Sequence, residues 1–139
     1  MIRALLLLLL VVPVIGAQEK APVPVLEGTY DLQEFLENNK AGDDRKDATV
    51  VFKDGVMTVK LKTREDAAKF TVDTAKPPFQ IDFKPTVGEA KATLGIWRIE
   101  KGEITIVFQK NGPRPSDFKG LGEGVVKFVL VKSIPKKDK

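Results

Sequence analysis

Histidine and cysteine are both absent from this 139-residue sequence, so any chemistry must come from carboxylates, amines, guanidinium groups, hydroxyls and aromatic rings. Nucleophiles activated by an imidazole, and the usual zinc ligand sets, are excluded at the outset. Paired carboxylates can still do acid–base work, and the sequence groups them twice, at Asp43-Asp44 with Asp47 and at Glu65-Asp66. Both groups stand among other charges, with no apolar neighbours to raise a carboxyl pKa. They read as solvated loop carboxylates rather than as general acids or calcium ligands. No catalytic residue, metal site or cofactor is assigned.

Three residues remain as candidate ligand contacts: Trp97, Arg114 and Phe118. Trp97 has Ile99 on its own face and Gly95 beside it, which favours a core position over an exposed stacking platform. Arg114 and Phe118 belong to a Gly- and Pro-rich stretch, residues 111–124. There Phe118 could fold over the mouth of a barrel while Arg114 satisfies carbonyls or pairs with an acid. Such a segment is either a structural latch or a ligand gate, and the latch is the simpler reading. The run Gly120-Leu121-Gly122-Glu123-Gly124 superficially resembles a phosphate loop. It precedes a strand rather than opening a helix, and it has no Lys-Ser/Thr pair, so it reads as a flexible rim loop.

The elements that must position these residues are strands. From residue 26 onward apolar residues recur with period two, in runs rich in Val, Ile, Thr and Phe that are divided by Gly, Pro and Asp. The spacing predicts strands over 28–36, 48–53, 56–62, 69–73, 79–84, 93–100, 103–110 and 125–132. Asp54-Gly55 and Lys101-Gly102 are two-residue hairpin turns. Residues 37–47 read as a polar loop, 64–68 as a charged turn with some helical character, and Pro77-Pro78 as a break. About eight strands joined by short connections predict an all-β fold, a single small antiparallel up-and-down barrel. Its candidate interior is large-residue rich: Phe52, Met57, Phe70, Phe79, Phe83, Trp97, Phe108 and Phe128. A barrel of this strand number is filled by its side chains or holds one small ligand, and these residues favour filling.

Composition sets the remaining bounds. Arg3, an apolar run over residues 4–15 and the small residues Gly16 and Ala17 have the order of a secretory signal peptide, expected over residues 1–17. The run contains Pro13 and falls short of the ~20 residues needed to span a bilayer, so no stable membrane insertion is expected after cleavage. Residues 18–25, with Pro22 and Pro24, form a linker; residues 26–133 form the barrel domain, and residues 134–139 a basic tail. The chain is therefore expected to be exported, to the periplasm, the cell envelope or the exterior. An exported domain without cysteine is held by packing alone. A formal net charge of +4, evenly interspersed, gives no nucleic-acid face.

Several local patterns carry a resemblance: Leu26-Glu27-Gly28-Thr29-Tyr30, the Pro78-to-Asp82 segment, Leu94-Gly95-Ile96-Trp97 leading to Lys101-Gly102-Glu103, and Arg114-Pro115-Ser116-Asp117-Phe118. Over residues 26–132 the chain resembles an exported, lipocalin-like (calycin-type) domain family of unknown function from planctomycete bacteria. The resemblance implies a calycin-type barrel and supplies no activity or catalytic residue. Tyr30 stands where such first strands usually carry Trp, and Val107 where a Cys is frequent. Two functions are expected in turn. One is a non-enzymatic module binding a small apolar ligand; the other is a ligand-free structural or protein-interaction domain of the envelope.

Overall fold

The computed structural model describes residues 25–42, 47–85 and 92–134. The proposed signal peptide, nearly all of the linker, Asp43 and Asp44, and all but the first residue of the basic tail lie outside them. Among the described residues nine strands follow in chain order: β1 (Gly28–Glu37), β2 (Lys40–Ala41), β3 (Thr49–Lys53), β4 (Val56–Lys60), β5 (Glu65–Asp73), β6 (Phe79–Pro85), β7 (Thr93–Glu100), β8 (Glu103–Gln109) and β9 (Val125–Lys132). Strands β1 and β3 to β9 pair antiparallel in sequence order, and β1 also pairs with β9. That last pairing closes an eight-stranded up-and-down barrel and removes its edges. β2 is a two-residue addition hairpinned onto the end of β1, where Leu36 pairs with Ala41.

The turns are those their residues demand. Asp54 and Gly55 have φ of 52° and 74°, and Lys101 and Gly102 have 51° and 79°, the double left-handed conformation whose twist matches a tight hairpin. Asn38 and Asn39 do the same at 52° and 68°. This third turn lies in the stretch read from sequence as a polar loop. Asn enters the left-handed region more readily than other non-glycine residues.

The segment 64–68 is not a turn with helical character. β5 starts at Glu65, and Lys60↔Glu65, Thr58↔Ala67 and Met57↔Ala68 are registered pairs. Local alanine and acidic propensity favours a helical turn, but the unpaired edge of β4 offers a ladder of backbone partners that outweighs it.

Alternation sorts side chains into an apolar interior and a polar outside. Phe52, Met57, Phe83, Trp97 and Phe128 are buried in one cluster, with Phe70, Phe79 and Phe108 packed against it. Rings touch in series across this interior: Tyr30–Phe52 at 5.8 Å, Phe52–Phe70 at 5.5 Å, Phe83–Phe108 at 5.3 Å, Phe108–Phe128 at 5.6 Å and Phe35–Phe128 at 5.3 Å. Such pairs add about 0.5–1.5 kcal/mol each beyond their buried area. The outside carries Lys60, Lys69, Thr71, Gln80 and Lys84, which is the inverse of a lipid-facing barrel.

β1 breaks strict alternation. Tyr30 and Leu32 belong to the interior, and so does Phe35, three residues further on. A bulge between Leu32 and Glu34 makes this possible, shifting the register from Leu32↔Leu130 to Glu34↔Val129. The extra residue resets the faces, so Phe35 turns inward and Glu34 outward.

Candidate functional site

The long connection between β8 and β9 runs down the outer wall of the barrel. Its anchors show the path. Asp82 and Arg98 alternate with the interior residues Ile81 and Trp97, so both point outward, and the loop engages each. Arg114 Nη1 donates to Asp82 Oδ1 at 2.6 Å and to the Gly95 carbonyl at 2.7 Å. The Phe118 ring lies under the Arg98 guanidinium, 4.5 Å from Cζ to ring centroid. Gly120 sits so close to the Lys127 side chain that an added Cβ would meet it at 2.6 Å. Ile96, Thr105 and Val107 lie on the outward face and are buried, and Val107 lines one space together with Arg114 and Leu121 of this strap.

The strap is also tied at its end. Backbone N–H groups of Gly122 and Gly124 donate to the side-chain oxygens of Asn39 and Asn38 at 2.8 and 2.7 Å. Gln109 Nε2 donates to the Glu123 carbonyl at 3.1 Å, and Lys110 pairs with Glu37. Gly120, Gly122 and Gly124 have φ of 71°, 129° and 74°, so the glycine run serves a backbone path that side chains rarely follow. Arg114 thus does what a latch requires, bonding carbonyls and an acid. Phe118 packs on the outer wall instead of closing the mouth.

Trp97 and Phe118 are nevertheless brought to one place. β6 pairs with β7 only as far as Phe79↔Trp97, whereas β7 continues to Glu100. Beyond that last pair the Pro77-Pro78 turn leaves β7, and a notch opens. Its cavity of about 450 Å³ is lined by Pro77, Pro78, Phe79, residues 97–100 and Phe118. Trp97 forms part of its wall, 1% exposed and tilted against Phe79 at 5.4 Å. The indole Nε1–H is buried without a hydrogen-bond partner. Arg114 lies outside the notch and lines a separate space of about 220 Å³ beneath the strap.

No family model, no curated protein and no solved structure matches the chain. The barrel itself is the firm assignment.

Of the carboxylates singled out by sequence, Asp47 is exposed and Glu65 and Asp66 are exposed on β5. Asp66 pairs with Arg64 at 3.3 Å, both in solvent. Among the described residues no three acids gather as a metal site would require. Burial raises the Tyr30 phenol pKa above the usual 10.0, and its hydroxyl donates to the Glu27 carbonyl at 3.1 Å. Sequence reasoning missed Pro77, Pro78, Phe79 and Arg98 as neighbours of Phe118. Local pattern carries no signal for where a 14-residue loop lies down.

Proposed function

We propose that this is an exported, non-enzymatic binding module that takes one small apolar molecule in the notch between β6 and β7. The observation that carries the reading is the cavity of about 450 Å³ that draws Trp97, Phe79 and Phe118 together. Its size falls within the range of small-molecule sites, ~300–1,000 Å³, and well above the ~150 Å³ that holds benzene. Prolines and aromatic rings supply most of the wall, as apolar recognition needs. The signal-like residues 1–17 and the lipocalin-like pattern over 26–132 support the exported part of the reading.

The test is titration with 2-naphthamide, an uncharged two-ring probe, followed by amide chemical shifts. Saturable shifts at residues 77–79, 97–100 and 118 are expected. Phe118→Ala should weaken binding by about fivefold or more, the worth of one aromatic contact, with little change in thermal midpoint. Absence of saturable binding, with Phe118→Ala mainly lowering the midpoint, would reduce Phe118 to a latch.

A second reading, a ligand-free structural or interaction domain of the envelope, has one observation in its favour. The interior is filled by contacting rings, while Val72 and Ile99 stay 41% and 44% exposed. Concentration-dependent association of the purified domain would speak for it.

A further inference from the structure

We propose that the occupant of this notch is a flat apolar molecule bearing a single carboxylate, received by Arg98; the inference rests on the small-ligand reading above. Arg98 is exposed on the outer face of β7 and lines the notch. Among the described residues no carboxylate pairs with it, in contrast to Arg64, Lys110, Arg114 and Lys127. Its guanidinium carbon lies 4.5 Å from the centroid of the Phe118 ring, a cation–π contact. The ring takes up one side of the cation, and N–H groups turned away from it can receive a bidentate carboxylate.

The same cavity that offers this cation offers Pro77, Pro78, Phe79 and Phe118 as apolar walls. A ligand matching both has a planar hydrocarbon body with its charge at one end. Glu100 also lines the notch, two residues beyond Arg98 on the same face of β7. A fixed negative charge there repels a second anionic group, so a monoacid is selected over a diacid.

The experiment compares 2-naphthoate with 2-naphthamide, which has nearly the same shape and no charge, by shift titration on the intact domain. Naphthoate should bind wild type about fivefold tighter or better at low salt, with the advantage shrinking as salt is raised. Arg98→Gln should bring the naphthoate-to-naphthamide affinity ratio close to one. Arg98→Lys, keeping the charge and losing the fork, should recover part of the ratio. Glu100→Gln should raise the ratio further in favour of naphthoate. Equal affinities in wild type, or an unchanged ratio in Arg98→Gln, would overturn the carboxylate assignment and leave the apolar notch standing. If neither probe binds, the small-ligand reading itself falls.

Discussion

Arg114 and Asp82 are 32 residues apart in the chain and 2.6 Å apart in space, and the same guanidinium nitrogen reaches the Gly95 carbonyl at 2.7 Å. One side chain therefore pins the strap to both β6 and β7, and it holds in place the wall of the notch that Phe118 supplies.

Arg114→Ala should lower stability by about 1–3 kcal/mol, the range for hydrogen bonds to charged groups when the pair is partly open to solvent. Denaturant midpoints measure the loss. Hydrogen exchange should rise in residues 116–121 while the barrel strands keep their protection. Uniform exchange across the barrel would mean that the strap and the sheet open together.

Trp97 gives two contrasting substitutions. Trp97→Ala should cost about 3–5 kcal/mol, because a large ring leaves both lost transfer energy and a cavity. Trp97→Phe should stay within ~1 kcal/mol of wild type, since removing a buried donor that has no partner offsets the smaller ring. A Phe variant as unstable as the Ala variant would show that the indole N–H is satisfied.

Gly95 and Gly102 should fail for different reasons. A Cβ on Gly95 would stand 2.8 Å from the Val107 carbonyl oxygen and 2.9 Å from Phe108 Cβ, neither of which is the free end of a flexible chain. Gly95→Ala is expected to cost about 1–3 kcal/mol by overpacking. At Gly102 there is nothing within 4 Å, yet φ is 79°, so Gly102→Ala should cost about 1–2 kcal/mol through backbone strain alone. Thermal unfolding of the two variants checks both figures.

Tyr30 predicts an alkaline transition. Its folded pKa is raised above 10.0 by burial, so the unfolded chain loses this proton first as pH rises. The fold's stability from the neutral phenol is whole below pH 10 and falls from there up to the folded pKa. Tyr30→Phe should remove that slope, at a cost below pH 10 of about 0.5–1.5 kcal/mol for the bond to the Glu27 carbonyl. Stability curves against pH for the two proteins decide it; an identical alkaline slope would place its origin elsewhere.

Much of this barrel was legible residue by residue. β7 and β9 occupy the residues that alternation assigns to them, and Asp54-Gly55 and Lys101-Gly102 form the turns their types require. The interior aromatic set follows from the same period of two, because a one-residue slip would put every ring in water. These features depend on neighbours within a few positions, so the sequence by itself determined them. The rest depends on partners distant in the chain. β5 begins at Glu65 because β4 offers an unpaired edge, and Phe35 turns inward because β9 admits a bulge. The meeting of Trp97 and Phe118 at the notch was decided only in the tertiary structure. It follows from where β6 begins and from the path that Arg114, Asn38 and Asn39 impose on the strap, contacts between segments that no local pattern encodes.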